Sequence, residues 1–226
     1  MVDLEKIHSS PLITHPWNHK VIDDLIDANT FSILKTAAVQ LMPLVEKHNR
    51  MFVHPFKLKS LGIDNTVYDS LIKCSNMLLT VINSTLATFP NSANSKSGYF
   101  CLPHFAISGP EYRYRIHNDS INRALTILTY IAPENSSGTD LYRTIETDSF
   151  VNQIPWKQNR TFVLTPSDSS WHSWNNPFNV SRVTVDFTCH KIESLYEVLN
   201  QREDDKDLLN EWFFEEMNNG NLIINI

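Results

Sequence analysis

The spacing of apolar positions divides the chain into three stretches. From position 18 to about 89 the period is mostly helical. Val21, Ile22, Leu25 and Ile26 form one apolar face, and Phe31, Leu34, Ala38, Leu41 and Val45 form another at i, i+3, i+4 spacing. Asn65 and Thr66 are placed to cap a third helix, whose stripe runs through Leu71, Met77, Leu78, Val81, Ile82 and Leu86. Polar residues at 91–98 read as a loop. From 99 to 188 the period shortens to two. Strands are predicted at 99–107, 112–117, 124–131, 140–145, 161–165, 170–174 and 181–188, each rich in β-branched and aromatic residues and bounded by Pro, Asn, Ser or Gly. Too few helices separate them for βαβ units, so the sheet should be largely antiparallel and close as a barrel or sandwich. Beyond His190 the helical period returns. Leu195, Leu199, Leu208, Leu209, Trp212 and Phe213 oppose an acidic face that includes Glu203, Asp204, Asp205, Asp207, Glu211, Glu215 and Glu216. The expectation is one domain over 1–226: a helical N-terminal covering (1–90), a mainly β core (99–189) and a C-terminal helix (191–218) that covers the barrel or a second copy in a homodimer.

Composition narrows the chemistry. With 226 residues, 42% hydrophobic and a formal net charge of −6, the chain can build a core but offers no basic field for nucleic acid or an anionic membrane. Its five glycines form no phosphate-binding loop. Cys74, Cys101 and Cys189 contain no CxxC pair and leave an odd thiol, which argues against a disulfide scaffold or a zinc ribbon. No stretch is long and apolar enough for a membrane span, and the first residues carry Asp3, Glu5 and Lys6 instead of a signal-peptide run, so a cytoplasmic location is expected. Nine histidines are the composition entry that stands out.

One of them lies in the only HxD of the chain, His117-Asn118-Asp119. On an extended strand, residues i and i+2 point to the same side, so the imidazole and the carboxylate aim at one point. His172 lies on another predicted strand. Two imidazoles and one carboxylate form the facial triad of non-haem Fe(II) sites, which leaves open coordination positions. A closed structural zinc site would need a fourth ligand, often a thiolate. Ten residues beyond His172, Arg182 shares a strand face with Thr184 and Asp186, opposite Val183, Val185 and Phe187. A guanidinium fork there suits a carboxylate, with the Thr184 hydroxyl beside it. An open metal site and a carboxylate clamp together describe a pocket for a 2-oxo acid.

At these residues the sequence resembles the 2-oxoglutarate- and Fe(II)-dependent oxygenases, a double-stranded β-helix (jelly roll) superfamily, and most nearly its prolyl-hydroxylase-like branch. The resemblance covers about 112–189. It implies that His117, Asp119 and His172 ligate Fe(II), that Arg182 binds the far carboxylate of 2-oxoglutarate, and that Tyr130, late on the strand after HxD, shares that carboxylate. Gly138-Thr139-Asp140-Leu141 resembles the glycine-rich entry to the next strand, with Thr139 replacing a second glycine. The implied activity uses O2, hydroxylates a C–H bond of a small molecule or a protein side chain, and releases succinate and CO2. The lysine that many prolyl hydroxylases carry at the position of Arg182 is absent, and a prolyl substrate does not follow.

Blander readings stand beside these. The triad residues also suit an ordinary polar strand surface, or another metal in a cupin-like enzyme that uses no 2-oxo acid. Arg182 also suits a surface ion pair, and Arg143 is the rival clamp. Tyr130 equally suits plain core, and Trp156, Trp171 and Trp174 suit either a pocket wall or packing. His104 and His190 are expected to be structural; His8, His15, His19, His48 and His54 are expected at the surface or in helix packing. A non-catalytic barrel that presents its helices to a partner is the remaining alternative.

Overall fold

Two antiparallel sheets face each other, and helices cover the larger one. The computed structural model describes residues 1–90, 92, 94–200 and 206–225; the acidic positions Glu203, Asp204 and Asp205 lie outside them. In chain order the elements are α1 (Leu4–Ser9), β1 (His19–Asp23), α2 (Ala28–Leu41), β2 (Arg50–Val53), α3 (Pro55–Leu58), α4 (Asn65–Thr80), α5 (Ile82–Leu86), β3 (Gly98–Ser108), β4 (Arg113–His117) and β5 (Arg123–Ala132). They continue with β6 (Thr139–Tyr142), β7 (Phe150–Ile154), β8 (Arg160–Leu164), β9 (His172–Asn175), β10 (Arg182–Lys191), α6 (Leu195–Asn200), α7 (Lys206–Asn218) and β11 (Ile223–Asn225). The large sheet runs β1-β8-β5-β10-β3-β11, with β2 also paired to β3; the small sheet runs β4-β9-β6-β7. This is the jelly-roll architecture expected from the sequence.

The strands of the large sheet separate two environments by alternation. On β10, Val183, Val185, Phe187 and Cys189 join Phe105 and Ile107 of β3 in a core that the helices cover with Leu34, Leu71 and Leu78. Arg182, Thr184, Asp186 and His190 look the other way, into the space between the sheets. One end of that space is filled by Trp17, Tyr130, Leu141, Ile154, Phe162 and Leu164. At the other end α6 and α7 pack Leu199, Leu209 and Phe213 against Phe100 and Leu102. No helix among the described residues is long and apolar enough to cross a membrane.

Several local expectations are corrected. Val21 and Ile22 lie on a strand, β1, that pairs antiparallel with β8 from His19↔Leu164 to Asp23↔Arg160. The run is too short for a stable helix, and the open edge of β8 takes it. The N-terminal stretch also supplies β2, so it is more than a helical cover. The cap of α4 is Asp64, whose carboxylate accepts from Thr66 N at 2.7 Å; Asn65 and Thr66 are already helical. Strand β7 lies outside the predicted strands, and β6 ends at Tyr142, three residues before the expected limit. Gly138 at the entry to β6 is required sterically, because a Cβ there would lie 1.6 Å from the Ile154 carbonyl oxygen.

Candidate metal centre

His117 closes β4 and His172 opens β9, and the two are direct cross-strand partners. Their ring centroids lie 4.3 Å apart. Each ring is oriented by the same device. His117 Nδ1 lies 3.0 Å from the Arg115 carbonyl and His172 Nδ1 lies 2.8 Å from that of Ser170. A carbonyl only accepts, so each Nδ1 carries the proton and each Nε2 lone pair is left for a metal.

Asp119 reaches the same point by a different route from the one expected. It lies two residues beyond the end of β4, in a loop, so strand alternation does not place it. Its carboxylate is held instead by β5: Arg123 Nη1 donates to Oδ1 at 2.7 Å and the Thr126 hydroxyl to Oδ2 at 2.6 Å. His117 Nε2 lies 3.9 Å from Oδ1. One ligand atom from each of His117, Asp119 and His172 falls within 4.8 Å of the others.

The electrostatics suit a cation. Burial, and then the neighbouring His172, push the His117 imidazole down to about 3, so the ring is neutral at ordinary pH. Burial works to raise the Asp119 carboxyl, but the charge of Arg123, the two histidines and the Thr126 hydroxyl outweigh it and hold the group well below the usual carboxylate range. Two imidazoles and one carboxylate leave room for further ligands, the donor set of an open Fe(II) site.

The triad opens on a cavity of about 590 Å³ between the sheets. Arg182 lies in its wall, only 5% exposed. Its Cζ sits 4.6 Å from the ring centre of Trp174, 5.1 Å from Tyr130 and 5.3 Å from Trp156. Nε has no hydrogen-bond partner among the described residues. Burial lowers this guanidinium to about 10, which still leaves it a cation. A buried cation faced by aromatic rings requires an anion to complete it. The residues therefore fit a carboxylate co-substrate as well as a metal.

The other expected positions sort clearly. Thr184 lines the cavity, and its hydroxyl donates to Asp186 Oδ1 at 2.7 Å. Tyr130 is fully buried beside Arg182, and its hydroxyl donates to Thr139 Oγ1 at 2.8 Å. Arg143 is exposed and outside the cavity wall, so it is no rival clamp. Trp156 and Trp174 flank Arg182, whereas Trp171 does not. His19 and His54 are buried, and His54, His104 and His190 all line the cavity. Sequence reading also missed Arg123 and Thr126 as supports of Asp119. Their position on the strand after HxD was the available signal. Arg50 on β2, which lines the same cavity, gave no signal.

No protein-family model matches the chain, and a search of curated proteins finds no match. Solved structures do resemble it. A viral collagen prolyl hydroxylase from Paramecium bursaria Chlorella virus-1, in complex with 2-oxoglutarate, aligns with a TM-score of 0.52 at 13% identity, over 77% of this chain and 96% of the other. A prolyl 4-hydroxylase from Phytophthora capsici aligns with a TM-score of 0.57 at 16% identity, over 96% and 75%. The non-haem α-ketoglutarate-dependent epimerase SnoN from nogalamycin biosynthesis aligns with a TM-score of 0.55 at 11% identity, over 83% and 80%. The chain thus has the jelly-roll fold of the 2-oxoglutarate- and Fe(II)-dependent oxygenases, in the form seen in prolyl hydroxylases.

Proposed function

We propose that this protein is an Fe(II)- and 2-oxoglutarate-dependent oxygenase that hydroxylates a C–H bond of a small molecule or a protein side chain. The observation that carries this reading is the convergence of His117, Asp119 and His172 on one point, in a cavity whose wall holds Arg182, with its buried Nε unpartnered among the described residues. In this reading His117, Asp119 and His172 hold the iron, and Arg182 takes the far carboxylate of 2-oxoglutarate. Tyr130 and Thr184 shape the slot around that guanidinium. When bound, iron and 2-oxoglutarate would supply an O2-dependent oxidation, in which one oxygen atom of O2 enters the C–H bond and the other enters the succinate formed as CO2 leaves.

The rest of the mechanism belongs to the chain's own residues. Arg115 and Ser170 carbonyls hold the two Nδ1 atoms, so that each Nε2 is the atom turned to the metal site. Arg123 and Thr126 keep Asp119 ionised and limit its rotation. Arg182 gives a dicarboxylate one direction in the cavity, and the rings of Trp156, Trp174 and Tyr130 keep water from the guanidinium. Arg182 would hold the far carboxylate of the co-substrate, and His117, Asp119 and His172 would hold the metal that its 2-oxo end meets.

The test is conversion of 2-oxoglutarate to succinate by anaerobically prepared protein given Fe(II) and air, compared with His117→Ala. Metal affinity is measured alongside by Mn(II) titration. Turnover or tight Mn(II) binding that His117→Ala abolishes supports the proposal. Metal binding without any affinity for 2-oxoglutarate points to a cupin-like enzyme, and a folded protein that binds no divalent metal sinks the enzymatic reading.

A further inference from the structure

Arg50 enters the cavity from β2, a strand of the N-terminal stretch. Alternation turns Arg50 and Phe52 toward the cavity, while Val53 joins the helix-covered core. The register fixes its place. Arg50 pairs with Ser108 of β3, and Ser108 pairs on its other side with Arg182 of β10. The two arginines thus occupy one row of the sheet, separated by a small residue and by two strand spacings, roughly 10 Å. Ala106, in the next row, is also small. These two short side chains leave the floor between the guanidinium groups open.

The environment of Arg50 differs from that of Arg182. Its Cζ lies 4.8 Å from the ring centre of Phe52 and 4.5 Å from that of Tyr114. Tyr114 in turn meets His117 at 4.2 Å between ring centres. Arg50 is therefore one aromatic ring away from a metal-site histidine, on the opposite side of Ser108 from Arg182. Its nearest carboxylate is Asp186, at 3.8 Å from Nη2, beyond hydrogen-bond range. Nε is buried and has no hydrogen-bond partner among the described residues. Asp186 is engaged elsewhere: it accepts from Thr184 at 2.7 Å and lies 3.6 Å from His104 Nε2.

The charge of the whole cavity points the same way. Arg50, Arg123 and Arg182 line it beside Asp119 and Asp186, an excess of one positive charge, although the chain as a whole carries −6. Under the function proposed above, a divalent metal and a 2-oxoglutarate dianion cancel each other. The surplus of positive charge in the wall then remains for a third component.

We infer that Arg50 is a specificity-determining residue that binds a carboxylate of the substrate to be oxidised, so that the substrate is an organic carboxylate. The Arg50 guanidinium, beside the Phe52 and Tyr114 rings in the cavity wall, suits a planar, singly charged group that accepts two parallel hydrogen bonds. The Tyr114 ring sets the distance, so the oxidised carbon lies several bonds from that carboxylate. This inference rests on the iron and 2-oxoglutarate reading for the oxidation, but not for the binding of the anion.

The experiment is calorimetric titration of benzoate, and of its uncharged twin benzamide, into the full chain loaded with Mn(II) and saturating 2-oxoglutarate. Benzoate is expected to bind and benzamide to fail. Arg50→Gln should weaken benzoate at least tenfold while Mn(II) and 2-oxoglutarate affinities stay within about twofold of wild type. Arg50→Lys keeps the charge without the fork; it should bind benzoate at intermediate strength, and it replaces Arg50→Gln if that variant does not fold. Equal benzoate binding by wild type and variants, or none by wild type, overturns the inference. So does a large loss of 2-oxoglutarate affinity in Arg50→Gln, since Arg50 would then be the co-substrate clamp. Inorganic phosphate binding in preference to benzoate also overturns the assignment of a carboxylate. Failure of wild type to bind Mn(II) or 2-oxoglutarate sinks the iron reading instead, and benzoate is then read on the unloaded chain.

Discussion

Thr126 donates its hydroxyl to Asp119 across the gap between β5 and the loop after β4, at 2.6 Å. Asp119 has no strand to position it, so this bond and the Arg123 ion pair at 2.7 Å are what aim its carboxylate at the two histidines. The carboxylate is nearly buried, with 6% of its side chain exposed. Removing one support therefore leaves it less constrained and poorly solvated.

Thr126→Val keeps the shape of the side chain and deletes the hydroxyl. Mn(II) affinity is expected to fall about 10–100-fold, the usual penalty for losing a hydrogen bond behind a metal ligand. Isothermal titration checks it, and an unchanged affinity would show that Arg123 alone orients Asp119.

Arg182→Gln removes the charge from the aromatic slot but keeps a polar side chain. Binding of 2-oxoglutarate should weaken by on the order of 2–5 kcal/mol, the cost of truncating one partner of a buried, hydrogen-bonded charge pair. Mn(II) affinity should be little changed. The measurement is a 2-oxoglutarate titration at saturating Mn(II).

Acid should separate Arg160→Ala from wild type in a predictable direction. The Arg160 hydrogen bonds at 2.7 and 3.0 Å, helped by Lys157, overcome burial and hold the Asp23 carboxyl at about 2. Its pKa is lowered by folding, so the stabilisation is present above an unfolded value near 4 and disappears as pH falls toward 2. Asp23 keeps 36% of its side chain exposed, so solvent screening limits the effect to about 1 kcal/mol. Thermal melts should show Arg160→Ala less stable at pH 6 and level with wild type near pH 2.

Gly138→Ala forces a methyl group into the Ile154 carbonyl, and the obstacle is backbone. The β6–β7 pairing must shift, at a cost of about 1–3 kcal/mol or more. Because β6 pairs with β9 at Leu141↔His172, metal affinity should fall along with the melting temperature. A variant with wild-type stability would contradict the close approach.

Much of the fold was legible because it is written locally. The alternation of Val183, Val185 and Phe187 with Arg182, Thr184 and Asp186 identifies β10 and its two faces, and α2 and α4 follow from their apolar stripes. The edge strands were not legible. Residues 19–23 and 50–53 hold too few apolar positions to distinguish strand from helix, and their state depends on β8 and β3, which lie far along the chain. Arg143 illustrates the converse: its position in sequence suited a clamp, but the chain turns it outward after β6 ends.

The sequence by itself determined the chemistry of the site. The spacing of His117, Asp119, His172 and Arg182 names two imidazoles, a carboxylate and a guanidinium, and strand alternation puts Arg182 on the inner face. Tertiary structure alone decided what surrounds them. It placed Thr126 and Arg123 behind Asp119, folded Trp156 and Trp174 over Arg182, and brought Arg50 to the opposite side of Ser108. These partners come from separate strands and loops, and their meeting depends on strand order and register. No local pattern encodes that order, because pairing is chosen by the packing of the whole sheet.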